Sequence, residues 1–302
     1  IIYVALMTWP VASMGFVITM VQRAAASMDR LNEIFDAEPG IVTTEGEAIK
    51  EAKGAIAFEA VSFRHPASEV KALNSVSFAA PAGSTLAVVG RTGSGKTTLV
   101  EMIPRLLDAE SGTVRIDGRD VKSIPVDVLR SMIGYVPQDV FLFSDTVAEN
   151  ISFGTLGAEQ SLIEKAALEA DLLDNISSFQ DGFETFLGER GITLSGGQKQ
   201  RTSIARALIR QPRILILDDA LSAVDVGTEQ TILGHLKKQF GKRTIVIVSH
   251  RISAVKDADH IIVLDEGQII ESGNHDSLVQ EDGFYAALHH KQLLERELEE
   301  LA

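Results

Sequence analysis

The chain has no cysteine, which removes disulfides and thiolate metal sites and permits, without requiring, a reducing compartment. It is also short of basic residues, with 28 Lys and Arg against 42 Asp and Glu, a formal net charge of −14. Phosphodiester backbones are held by basic faces, so no nucleic-acid partner is expected. A third absence is local: Ile1 to Gln22 contain no Asp, Glu, Lys or Arg. At 1.5 Å rise per residue this run spans roughly 33 Å as a helix, against a hydrocarbon core of about 30 Å. The first charges, Arg23 and Arg30, suit a cytoplasmic exit from a membrane. A signal peptide would carry its basic end before the apolar run rather than after it; a core helix buried in protein is the other alternative. Pro10 is expected to kink the span. The first residue is Ile rather than Met, so the expectation is a fragment cut inside a membrane helix. Helical character continues from Val21 to Phe35, and the polar, aperiodic stretch 41–54 reads as a linker.

What is present is organised around Gly90-Arg91-Thr92-Gly93-Ser94-Gly95-Lys96-Thr97-Thr98, which fits the phosphate-loop pattern G-x-x-x-x-G-K-[ST]. The apolar run Thr85 to Val89 precedes it and Leu99 to Ile103 follows, the strand-to-helix setting that the motif needs. Glycines let the backbone approach anionic oxygens, and successive N–H groups with the positive helix end hold phosphates. Lys96 would neutralise β- and γ-phosphate charge, and the Thr97 hydroxyl would ligate Mg²⁺. The alternative is a Gly-rich turn that binds nothing.

At 302 residues the chain has room for one large or two modest domains. Runs at 55–58, 61–64 and 75–79 predict a small antiparallel sheet, and 113–116 meets the Asp117-Gly118 turn signal. A short strand is expected at 133–136, mostly helix from about 146 to 210 with a break at 188–197, and parallel strands at 214–217, 244–248 and 260–264. Strands alternating with helices predict an α/β domain with a parallel central sheet.

Four aliphatics, Ile214 to Leu217, deliver Asp218 and Asp219 to the carboxyl end of a buried strand, where ligands of open α/β sheets sit. Asp218 fits a Mg²⁺-holding acid and Asp219 a group that orients or deprotonates the attacking water. Leu194-Ser195-Gly196-Gly197-Gln198 then opens a helix, and here the chain resembles the ATP-binding cassette family, whose signature this is. The resemblance runs from residue 55 to 302 and extends to Gln138 as the Q-loop glutamine, Ser222 to Asp225 as the D-loop, and His250 as the switch histidine near γ-phosphate. Thr185 to Gly191 is similar to the X-loop of exporters, and Gln22 to Phe35 to the end of the sixth membrane helix of exporter half-transporters. Asp218 to Asp225 looks closest to one subunit of the heterodimeric bacterial multidrug-resistance-like exporters, the MdlA-like type.

The resemblance implies a P-loop NTPase fold, a RecA-like parallel core with an antiparallel β subdomain and a helical subdomain at about 140–210, preceded by a transmembrane helix. It divides the chain into 1–40, the linker 41–54 and a nucleotide-binding domain at 55–302. It also implies ATP and Mg²⁺, the latter held by Thr97, Gln138 and Asp218; catalytic roles for Asp219, His250, Gln138 and Lys96; and nucleotide contacts from His65 and Gly90 to Thr98. Leu194 to Gln198 would act in trans on a second half-transporter subunit, a heterodimer rather than a homodimer. The expected setting is a multi-pass protein of the inner membrane with this domain on the cytoplasmic side, in contact with lipid and exporting a hydrophobic or amphipathic small molecule. A soluble cassette ATPase, a regulatory nucleotide-binding module and an importer ATPase are the alternatives; the uncharged span and the acidic charge balance speak against the first two, and an importer ATPase would be a separate chain without a fused membrane helix. Two positions depart from the family pattern. His65 stands where an aromatic stacks on adenine, and Asp219 where Glu is commoner, one methylene short.

Overall fold

The computed structural model describes residues 1–43, 51–66, 68–155, 157–237 and 243–300. The chain divides into two units, Ile1–Val42 and Thr43–Ala302. Residues 44–50 of the expected linker lie outside the described residues.

The first unit is one helix, α1 (Ile2–Phe35), which runs through Pro10 without interruption. It is long and apolar enough to cross a membrane, and none of it is buried within the chain. Its serine and threonine hydroxyls are spent internally. Thr8, Thr19 and Ser27 each donate to the carbonyl four residues back, at 2.9–3.1 Å, and Ser13 donates to Pro10 O. That arrangement leaves few side-chain donors to be satisfied by an apolar surround.

The second unit runs β1 (Ile56–Arg64), β2 (Lys71–Ala80), β3 (Thr85–Gly90), α2 (Lys96–Met102), β4 (Ser111–Ile116), β5 (Arg119–Asp120), α3 (Val126–Ser131) and β6 (Ile133–Val136). Four helices follow, α4 (Val147–Ser152), α5 (Gln160–Glu169), α6 (Leu173–Ser177) and α7 (Gly196–Leu208). The remainder is β7 (Ile214–Asp218), α8 (Val226–Lys237), β8 (Thr244–Val248), α9 (Ile252–Val255), β9 (His260–Asp265), β10 (Gln268–Gly273), α10 (His275–Gln280) and α11 (Phe284–Glu300).

The strands form two sheets. An antiparallel one has the order β2-β1-β4-β5, and a six-stranded one has the order β10-β9-β3-β8-β7-β6, parallel except for β10. The runs at 55–58 and 61–64 are one strand, β1, whose register slips between Phe58 and Val61 as Ala60 takes φ +48°. In the larger sheet the aliphatic strands are buried on both faces. Leu86, Val88, Ile214, Ile216, Val246 and Val248 pack into one apolar cluster; their neighbours Ala87, Val89, Leu215, Leu217, Ile245 and Ile247 pack into the other. The first cluster includes the antiparallel sheet and α2, the second the helices α4 to α7. Continuous Val/Ile/Leu runs rather than alternation thus encode a sheet covered on both sides.

Candidate active site

Strand register sets the site. Val88 pairs with Val248, Val248 with Asp218, and Leu217 with Val136, so β3, β8, β7 and β6 finish side by side. Gly90, His250, Asp218 and Gln138 therefore leave the sheet at one edge, the carboxyl edge where ligands of such sheets collect. They line a cavity of about 340 Å³ with His65, Thr92, Gly93, Gly95, Lys96, Thr97, Thr98 and Asp219.

The phosphate loop is built around glycine. Gly95 sits at φ +101°, and a Cβ there would lie 2.3 Å from Ala72 O, so no other residue fits without moving β2. Gly93, at φ +81°, faces open space. Lys96 Nζ donates to Gly90 O at 3.0 Å and Arg91 O at 2.7 Å. Burial lowers its pKa, and the nearby charges of Asp219 and Asp218 act in the opposite sense. Ser94 Oγ is buried without a hydrogen-bond partner among the described residues. A glycine-rich backbone concavity lined by the Lys96 ammonium fits a polyphosphate. Arg91 belongs to the loop but does not line the cavity; its guanidinium lies over the Phe284 ring of α11, 5.6 Å from the centroid.

Asp218 is 1% exposed at the end of β7. Burial raises its pKa, while hydrogen bonds from Thr97 and Tyr135 lower it. The Tyr135 hydroxyl donates to Asp218 Oδ2 at 3.4 Å, and burial beside that carboxylate raises the tyrosine's own pKa, keeping it a donor. Asp219 follows at φ +48°, its amide donating to Val248 O. Its Oδ1 lies 3.1 Å from His250 Nδ1. His65 Nε2 lies 3.2 Å from Thr98 Oγ1, and its ring meets Phe63 edge-on at 4.9 Å.

Thr97, Gln138 and Asp218 offer only oxygen donors, and no cluster of three or more His, Cys, Asp or Glu suited to a metal occurs among the described residues. One carboxylate with a hydroxyl and an amide suits Mg²⁺, which takes the rest of its octahedron from phosphates and water.

The signature residues lie elsewhere. None of Leu194 to Gln198 lines the cavity. Ser195 caps α7 through a reciprocal pair: its Oγ accepts from Gln198 N at 3.3 Å and its own N–H donates to Gln198 Oε1 at 2.9 Å. Gly197 abuts the next motif, with a Cβ there falling 2.9 Å from Ala223 O. Asp225 is likewise outside the cavity; it accepts from Thr228 N at 3.0 Å, which lowers its pKa and caps α8.

Several working residues were missed in the sequence. Gln200 joins α7 to the segment after Asp219, donating to Ser222 Oγ and accepting from Ala223 N, both at 2.9 Å. Arg251 donates to Ser222 O, Val224 O and the buried Glu229. Arg206 binds Phe141 O and Asn150, fixing the chain beyond Gln138. Only Tyr135 had a usable signal, since the pairing of β6 with β7 brings it alongside the strand that ends in Asp218.

Comparison with known proteins follows the same lines. The ABC transporter family matches residues 73–222. Among relatives, the probable multidrug resistance ABC transporter ATP-binding/permease protein YheI of Bacillus subtilis is 42% identical over 97% of the chain and 50% of its own length. The multidrug resistance-like ATP-binding protein MdlA of Escherichia coli is 41% identical over 99% and 50%, and an ATP-dependent lipid A-core flippase of Vibrio parahaemolyticus 41% over 94% and 49%. The chain thus spans about half the length of the relatives it matches. A solved bacterial Atm1-family ABC exporter with ATP bound superposes with a TM-score of 0.85 at 36% identity, covering 92% of this chain and 49% of that one.

Proposed function

Because the chain belongs to the ABC transporter family, we propose that it is the ATP-binding and hydrolysing part of an exporter half-transporter, dividing into a membrane-helix end at 1–40, a linker at 41–54 and a nucleotide-binding domain at 55–302. The observation that carries this reading is the meeting of the phosphate loop, Asp218, Asp219, Gln138 and His250 in one cavity from which the signature is absent. A chain that can cradle a triphosphate but keeps its second phosphate-facing helix start elsewhere is half of a site. The other half comes from a second subunit, so two nucleotides are held head to tail, and their binding closes the pair.

In this reading Lys96 and the loop N–H groups hold the β- and γ-phosphates, and His65 packs on the base. Thr97, Gln138 and Asp218 would hold Mg²⁺, which when bound supplies positive charge to the phosphate oxygens. Asp219 takes the proton of the attacking water, and His250 faces the γ-phosphate while holding Asp219 in line. α1 continues a membrane domain of the inner membrane, and closure drives export of a hydrophobic or amphipathic molecule. The uncharged span of α1 favours this over a soluble cassette ATPase.

The shorter acid at Asp219 makes this chain's own site slow, and its intact signature completes a fast site on a partner that keeps Glu. The chain therefore works as a heterodimer. Turnover of the full-length chain alone should be low, and Asp219→Glu should raise it on the order of 10- to 100-fold, because a displacement of about 1 Å at a reacting group is worth that much. The reconstituted pair should be fast without the substitution. Vigorous turnover by the unmodified chain alone, unaltered in Asp219→Ala, would show that Asp219 is not the base and that no partner is needed.

A further inference from the structure

The geometry points to Gln292, on α11, as the residue that positions His250, an inference that rests on the role proposed above for that histidine. His250 is poorly held by its own side chain, which is 59% exposed and touches only Asp219 among the contacts described. Its placement must come from the backbone, and the backbone there is pinned from two sides. On one side Arg251 reaches into the segment after Asp219, donating to Ser222 O at 2.8 Å and Val224 O at 2.9 Å. On the other, the Gln292 amide spans the turn between β8 and α9: its Nε2 donates to His250 O at 2.6 Å and its Oε1 accepts from Ile252 N at 2.8 Å.

This two-point grip is specific to a side-chain amide. His250 O can only accept and Ile252 N can only donate, which fixes which end of the amide faces which. A carboxylate would satisfy Ile252 N and repel His250 O; an aliphatic residue would satisfy neither. Ile252 N opens a short helix, where an N–H has no intrahelical partner, so the carbonyl of Gln292 acts as its cap. α11 also meets the phosphate loop, through Phe284 beneath Arg91. α11 thus braces the γ-phosphate face of the cavity at two points about two turns of helix apart, although none of its residues lines the cavity.

If Gln292 acts through His250, its loss should lower the rate of the chemical step and leave nucleotide binding alone. The test is ATP turnover of the full-length chain, comparing Gln292→Leu, Gln292→Glu, His250→Ala and the double variant His250→Ala/Gln292→Leu. Gln292→Leu should lower kcat about tenfold with KM for ATP within about twofold, part of the loss that misplacing a reacting group by about 1 Å brings. Gln292→Glu, nearly identical in shape, should be as slow, because its carboxylate keeps the bond from Ile252 N but repels His250 O. In the double variant Gln292→Leu should add nothing to His250→Ala. A normal kcat in Gln292→Leu beside a slow His250→Ala would overturn the inference and leave the site intact, as would a further tenfold loss on adding Gln292→Leu to His250→Ala or a normal kcat in Gln292→Glu. If His250→Ala itself turns over normally, the assignment of His250 falls first and this inference with it.

Discussion

Lys96→Ala should lose ATP binding by on the order of 10²-fold and reduce turnover to background, because the charge-assisted hydrogen bonds of one ammonium to two phosphates have no substitute in the loop. The loop's other cation, Arg91, is turned toward Phe284 and does not line the cavity. The fold should survive. Lys96 donates to two carbonyls, Gly90 O and Arg91 O, and losing such bonds costs about 1–2 kcal/mol, small beside the stability of a domain of this size. Lys96→Arg keeps the charge but exchanges a compact donor for a planar fork, so it should recover part of the affinity and little of the turnover. Titration with labelled ATP beside a melting curve decides the matter. Unchanged affinity in a folded Lys96→Ala chain would remove the phosphate loop from the site.

Gly197→Asp should abolish hydrolysis in the assembled transporter while this chain's own loop still binds ATP. The position has two sensitivities, which a pair of variants separates. A Cβ at Gly197 would lie 2.9 Å from Ala223 O, closer than such atoms come without a shift. Gly197→Ala therefore carries the steric part, a small displacement of α7 against the segment holding Ala223, and should lower turnover several-fold. Asp adds a negative charge within the first turn of α7, where the assembly proposed above would receive the partner's γ-phosphate; like charges meeting in a closed, poorly hydrated gap are strongly disfavoured. Measured by trapping of labelled nucleotide on each subunit, the loss should appear on the partner's loop. Loss of binding on this chain's own loop would argue against a role in trans.

The parallel sheet was legible because burial on both faces forces unbroken aliphatic strands, so 214–217, 244–248 and 260–264 announced themselves within a residue or so. The phosphate loop was legible because its chemistry is local, with nine consecutive residues carrying glycines, cation and hydroxyl together. What escaped was built from single polar residues acting across sequence distance. Gln292 lies 42 residues from the His250 carbonyl it holds, and nothing beside it in a charged amphipathic helix marks it out. Gln200 stands inside the signature helix, where its neighbours draw the eye, yet it faces 22 residues onward to Ser222. The continuous β1 was read as two runs because a bulge at Ala60 shifts its inward residues out of phase. The kink expected at Pro10 leaves the helical course of α1 unbroken, since a proline removes only one hydrogen bond from a 34-residue helix.

The left-handed backbone of Asp219 bears on why an aspartate stands there. At φ +48° most side chains are crowded against their own carbonyl, and Asp and Asn tolerate the conformation several-fold more readily than longer or branched residues. The turn that Asp219 opens is closed by Ser222, whose N–H and hydroxyl both return to the Asp219 carbonyl at 3.2 and 2.9 Å. A glutamate here would extend the acid by one methylene while tightening an already crowded turn. Rate and robustness then pull this one position in opposite directions, and in the division of labour proposed above aspartate keeps the relaxed, durable turn.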